Sequence, residues 1–148
     1  MRAAVPLVTM FILLLRGAPA AAQSAADSTA IRVTALNYVE GWYEGNTERM
    51  TRALHPELVK RIVYTDSAGH SRLEQMDAAR LIKGTGAGYG KETPKARQEK
   101  EVRILDIYGN VASVRATMAG WIDYMQMARW NGEWRIVTVL WEVKPRGP

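Results

Sequence analysis

The stretch that decides the fold is Gly109–Lys144, GNVASVRATMAGWIDYMQMARWNGEWRIVTVLWEVK. It reads as two long strands joined at Asn131-Gly132, with a third strand, Glu101–Tyr108, reaching the first of them through Gly109-Asn110. Asn-Gly is a strong hairpin signal because a type I′ turn needs positive φ at both central residues. Two-residue loops set Tyr108 opposite Val111 and Trp130 opposite Glu133. One face then carries Leu105, Ile107, Ala112, Val114, Ala116, Met118, Tyr124, Val137, Val139 and Trp141. It is nearly all apolar and must lie under something. The other face mixes charge with large apolar groups: Arg115, Trp121, Asp123, Met125, Met127, Ile136, Leu140 and Glu142. A slip of one residue exchanges the faces, and a bulge at Ala119-Gly120 would do the same for everything beyond it.

Outward from this sheet, the chain of 148 residues without a repeat is one domain plus a processed leader. Arg2 is a short basic region, Val5–Leu15 an apolar run and Ala20-Ala21-Ala22 a small-residue cleavage site before Gln23. That is the pattern of a signal peptide over residues 1–22. Its apolar run spans 11 residues, well short of the ~20 needed to cross a bilayer. A flexible leader follows over 23–28, then the domain over 29–145. The chain has no cysteine, so an exported protein would hold together by its core alone, with no lipid-accepting residue at the cleavage site. A secreted or periplasmic location follows, with no membrane attachment after cleavage.

The formal charge of +5 suggests nucleic acid, but the charges from Lys91 to Arg103 alternate in sign. Such runs are solvated faces rather than nucleic-acid footprints. No nucleic-acid partner is expected.

Asp27 or Ser28 caps a helix running to Glu44, with Ile31, Ala35, Tyr38, Val39 and Trp42 on one stripe and Gly45-Asn46 as the stop. Asn46 or Thr47 starts a second, short helix ended by Pro56. Leu58–Thr65 and Ser71–Glu74 read as a hairpin, and Asp77 caps a third helix over Ala78–Lys83. Gly84–Gly90 lacks the spacing of a dinucleotide or P-loop motif and reads as a mobile loop, a candidate lid. Helices followed by strands make an α+β domain.

Four phrases carry a resemblance: Tyr38-Val39-Glu40-Gly41-Trp42-Tyr43-Glu44-Gly45-Asn46, His55-Pro56-Glu57-Leu58, Arg72-Leu73-Glu74-Gln75-Met76, and Asp106-Ile107-Tyr108-Gly109-Asn110-Val111-Ala112-Ser113-Val114. With the element order, they resemble the putative lumazine-binding family of the nuclear transport factor 2-like superfamily. The resemblance implies a cystatin-like cone, its curved antiparallel sheet packed on a long N-terminal helix and two short helices. It also implies a pocket between helices and concave sheet, and commonly a dimer through the other sheet face. The superfamily holds isomerases, dehydratases and cyclases beside non-catalytic binders, and fold alone does not choose among them.

The candidate chemistry is small. His55 is either a general acid or base or a loop histidine bonded to backbone. Asp123 is either a proton-abstracting carboxylate or an outer-face aspartate. Tyr124 is either a donor to ligand or a core tyrosine. Trp42, Tyr43 and Trp141, with His55 and Tyr124, are candidate ligand contacts for a hydrophobic or heteroaromatic molecule such as a pterin or lumazine. Trp121, Met125, Met127, Ile136 and Leu140 form an apolar patch suited to a homodimer interface. No metal-ligand set or cofactor motif is present in the sequence. Three functions follow: a small-molecule binder, an isomerase or dehydratase using His55 or Asp123 as base, or a structural dimer whose cone lacks a cavity of roughly 300 Å³.

Overall fold

The computed structural model describes residues 20–145, with side chains from residue 24. The expected signal segment lies outside the described residues up to residue 19. The first helix, α1, spans Ala20–Glu44, so Ser24–Ser28 is helical rather than a separate leader. Asp27 does not cap a helix end. It is buried, ion-paired with Arg129 and accepting from Trp134 Nε1 at 3.3 Å. Thr34 Oγ1 donates to the Trp134 carbonyl at 3.1 Å. These bonds tie the first half of α1 to the hairpin end of the sheet. Among the described residues no helix is long and apolar enough to cross a membrane.

The stripe Ile31, Ala35, Tyr38, Val39 is buried against the sheet, each residue at most 2% exposed. Gly45 stops α1 at φ +64°, which a glycine adopts without a Cβ penalty. Asn46 N–H bonds the Gly41 carbonyl at 2.8 Å and Gly45 N–H the Trp42 carbonyl at 3.2 Å, the two bonds of a Schellman motif. The same Asn46 caps α2 (Thr47–Ala53) by accepting from Arg49 N–H.

Strand β1 runs Leu54–Thr65, four residues earlier than the alternation suggested. Pro56 sits in the irregular stretch between the paired residues Leu54 and Val59, where a missing N–H costs no ladder bond. Then come β2 (Ser71–Asp77), α3 (Ala78–Gly86), β3 (Glu101–Tyr108), β4 (Val111–Thr117), β5 (Trp121–Trp130) and β6 (Glu133–Val143). They form one six-stranded sheet in the order β2-β1-β6-β5-β4-β3. Only β1 against β6 is parallel. Both expected turn registers hold: Tyr108 faces Val111, and Trp130 faces Glu133. Asn131 and Gly132 have φ of +50° and +83°, as a type I′ turn requires.

One difference from the sequence reading changes the faces. Val111–Trp130 is not one strand. The chain reverses at Met118–Gly120, where Met118 N–H bonds the Trp121 carbonyl at 2.9 Å. Strands β4 and β5 then pair antiparallel, with Thr117 opposite Ile122. Parity counted through position 119 therefore fails. Ala112, Val114 and Ala116 face α1 as expected, but so do Asp123, Met125 and Met127, at 0–1% exposure. Tyr124 faces outward at 46%.

A second shift lies at Val137, since Met127 pairs with Ile136 while Gln126 pairs with Thr138. The extra residue lets Ile136 and Val139 both turn inward. Met125, Met127 and Ile136 are thus core residues, and with Trp121 also on the inner side, four of the five side chains expected at a dimer interface do not face outward. Leu140 does face outward, 55% exposed. Trp121 is half-buried against the core on the helix side.

Candidate functional site

Between α1, α3 and the inner face of β1, β5 and β6 lies a cavity of about 650 Å³. Its walls are aromatic. Trp42 comes from α1, Trp121 from the start of β5 and Trp141 from β6. Trp121 stands edge-on to both others, with ring centres 5.9 Å from Trp42 and 6.3 Å from Trp141. Tyr89, 63% exposed, stands at the mouth beside Arg80 and Lys83 of α3.

The inner end is polar. Lys60 of β1 occupies an inward position between Leu58 and Ile62, and its Nζ donates to Asp123 Oδ1 at 2.5 Å and to the Tyr38 hydroxyl at 2.6 Å. The Tyr38 hydroxyl donates to Asp123 Oδ2 at 3.0 Å, and Trp121 Nε1 to the same oxygen at 3.2 Å. Asp123 is fully buried and accepts three bonds, while Lys60 and Tyr38 line the cavity in front of it. Lys60 Nζ also lies 4.8 Å from the centre of the Trp141 ring, within cation–π range.

Burial penalises each charged form. It pulls the Lys60 ammonium below its usual 10.5, against the opposing pull of Asp123. Burial, the charge of Asp123 and their hydrogen bond together push the Tyr38 phenol well above 10.0. Tyr38 is therefore a neutral donor over the working pH range.

Of the residues singled out in the sequence, Trp42 and Trp141 line this cavity. Asp123 belongs to it from behind, through Lys60 and Tyr38. Tyr43 is buried elsewhere, its hydroxyl accepting from Ala119 N–H and donating to the Glu99 carbonyl. It pins the β4–β5 turn and does not touch the cavity. Tyr124 points away on the outer face. His55 lies in a different cavity of about 540 Å³, edge-on to Trp130 at 4.7 Å. Its Nδ1 accepts from Glu57 N–H at 3.1 Å, the bond of a turn histidine, which leaves the proton on Nε2. His55, Asp123 and Tyr124 thus do not converge on one point. His55 borders the other cavity, and the neighbours Asp123 and Tyr124 point to opposite faces, which the turn at Gly120 exchanges relative to those counted.

The sequence reading missed Lys60, Tyr38 as a polar group, and the α3 cations. The available signal for Lys60 was its place in Leu58-Val59-Lys60-Arg61-Ile62, where inward parity puts a charge in the core. The segment read as a mobile loop is tied down: α3 continues to Gly86, and a 3-10 turn over Tyr89–Glu92 packs Gly90 against Trp42. Among the described residues no group of three His, Asp or Glu side chains is placed to hold a metal ion.

A curved sheet backed by helices, with an aromatic cavity between them, defines a nuclear transport factor 2-like α+β cone. Residues 26–142 match the family described as "Putative lumazine-binding", and the chain belongs to that family. No curated protein matches the chain. Among solved structures it is similar to a nuclear transport factor 2-like protein of unknown function from Shewanella baltica. The two share 19% identity at TM-score 0.65, over 82% of this chain and 97% of that one. A protein of the same description from Silicibacter pomeroyi has 16% identity and TM-score 0.60, over 82% and 98%. A hexachlorocyclohexane dehydrochlorinase has 8% identity and TM-score 0.54, over 85% and 90%. Likeness at these identities shows a shared fold.

Proposed function

We propose that the cavity binds a small planar heteroaromatic molecule edged with acceptor oxygens, of which lumazine is the type. The observation that carries this is a pair of indole donors. Among the described residues, Trp42 Nε1 and Trp141 Nε1 are buried without a hydrogen-bond partner, and both side chains line the cavity. A buried donor without a partner costs ~1–3 kcal/mol. Both nitrogens are shielded from solvent in the free protein, so a ligand acceptor recovers that cost once the indoles turn toward it. Three aromatic walls supply flat contact, and Lys60 supplies a cationic donor at the inner end. The family's description supports a ligand-binding role. A volume near 650 Å³ stands against a cone filled by its own side chains.

Quenching of tryptophan fluorescence by added lumazine tests the reading. The wild type is expected to saturate, and Trp141→Ala to bind about tenfold more weakly, ~1.4 kcal/mol, as loss of an aromatic partner predicts. Equal affinity in both proteins would remove the cavity from the function. The acid–base reading with His55 as base has no geometric support, since His55 borders the other cavity.

Export and pairing complete the proposal. The leader pattern supports a secreted or periplasmic protein. For pairing, the outer face offers Tyr124 opposite Leu140, with Arg115 and Glu101 beside them at 3.7 Å from each other. An apolar strip edged by both signs of charge suits a second copy under two-fold symmetry. One preparation checks both: protein from a periplasmic extract should begin at Gln23 and sediment as a dimer at micromolar concentration. An unprocessed chain would contradict the first claim, and a monomer the second.

A further inference from the structure

We propose that Lys60 is a carbonyl-reactive amine, forming a reversible imine with aldehyde- or ketone-bearing aromatic ligands in the main cavity. The inference rests on the ligand-binding reading of that cavity and adds a covalent step to it. Four observations meet at one atom. Lys60 lines a cavity large enough for a bicyclic ligand. Asp123 Oδ1, 2.5 Å away, is placed to take its proton. The Tyr38 hydroxyl, 2.6 Å away, is a second group placed to move a proton. The Trp141 ring lies 4.8 Å from the same nitrogen, a face that stabilises a cationic nitrogen.

Lysine amines become nucleophiles when an apolar pocket desolvates them, and burial does lower the basicity of this one. Lys91, Lys95 and Lys100 are exposed away from the cavity, and Lys83 is exposed at its mouth.

The step balances without an oxidant or reductant. The ammonium first gives a proton to Asp123, and the free amine pair then adds to the carbonyl carbon. The C=O π pair moves to oxygen, which takes a proton from the Tyr38 hydroxyl, giving a carbinolamine. Nitrogen loses a proton to the Tyr38 oxygen. The carbinolamine oxygen takes the proton from Asp123, the C–O bond breaks, and water leaves as the nitrogen pair forms C=N. Ammonium and carbonyl become iminium and water. The iminium nitrogen keeps the last of the ammonium's three protons and would sit against the Asp123 carboxylate and the Trp141 face.

The test uses the mature protein, 4-methoxybenzaldehyde and sodium cyanoborohydride, which reduces an iminium to a stable secondary amine. Labelled protein is digested and each lysine scored by mass spectrometry, with and without saturating lumazine. Lys60 is expected to label at least about tenfold faster than any exposed lysine, a barrier difference of about one decade in rate, and lumazine should protect it. Lys60→Arg keeps a cation beside Asp123 and should lose the fast adduct. Tyr38→Phe should slow labelling at Lys60 while the exposed lysines label at their wild-type rate.

Label spread over the exposed lysines with Lys60 unmodified, in protein that still binds lumazine, overturns the imine and leaves the binding pocket standing. No Lys60 adduct and no lumazine binding overturns both.

Discussion

Asp123→Ala is expected to destabilise the domain by about 3–5 kcal/mol, the usual cost of stranding one member of a buried ion pair. Lys60 and Asp123 have side chains 6% and 0% exposed, so solvent offers the remaining charge little relief. Against the ~5–15 kcal/mol that holds a typical domain, this is a large share, and the urea midpoint should fall accordingly.

The loss should depend on pH. With Asp123 gone, the Lys60 pKa in the folded state falls further below its unfolded value. The unfolded chain then binds more protons than the folded one at pH below 10.5 and above the folded value, so stability rises with pH across that window. The variant should recover part of its loss between neutral pH and pH 10.0, where the unfolded Tyr38 phenol begins to ionise and opposes the trend. Lys60→Met with Asp123→Leu should regain part of the wild-type stability, but not all, because the Tyr38 hydroxyl and Trp121 Nε1 lose their acceptor, and it should bind ligand poorly. A cost below about 1 kcal/mol for Asp123→Ala would mean that the pair is solvated.

Gly90→Ala should also destabilise the domain, for steric reasons alone. A Cβ at position 90 would lie 2.1 Å from the Trp42 carbonyl oxygen and 2.6 Å from its carbonyl carbon. Both atoms belong to the backbone of α1 and cannot rotate away. Overpacking of this kind costs ~1–3 kcal/mol. Because Trp42 is a cavity wall, the shift should also weaken lumazine binding. Gly88→Ala makes a useful contrast: its φ of +82° gives a backbone cost of ~1–2 kcal/mol, with no clash on Trp42. Thermal melts and fluorescence titrations of both variants read the difference. Equal affinity in the two would show that the turn does not position Trp42.

The sequence made the architecture legible because its punctuation is local. Asn131-Gly132, Gly109-Asn110 and Gly45-Asn46 each fix a turn or helix end through their own φ, whatever packs around them. The helix stripe from Ile31 to Val39 has only one way to be buried. The faces of β5 were not legible, since they depend on whether Met118-Ala119-Gly120 bulges or reverses, and both options tolerate a glycine. That single choice moved Asp123 inward, Tyr124 outward and Met125 and Met127 into the core. Val137 hid a second parity change, visible only from the pairing partner. The polar end of the cavity was obscure for a related reason. Lys60, Tyr38 and Asp123 lie on β1, α1 and β5, and no motif spacing joins positions that distant. What could be read was a charge at an inward strand position; what it meant required the partner strand.

The most direct measurement is the ¹H–¹⁵N spectrum of the tryptophan indoles during a lumazine titration. The account predicts that the Trp42 and Trp141 indole protons move downfield as they gain acceptors, while Trp130, on the other cavity, and Trp134, bonded to Asp27, stay in place. Movement of Trp130 with Trp42 and Trp141 unchanged, or no movement at saturating ligand, would contradict it.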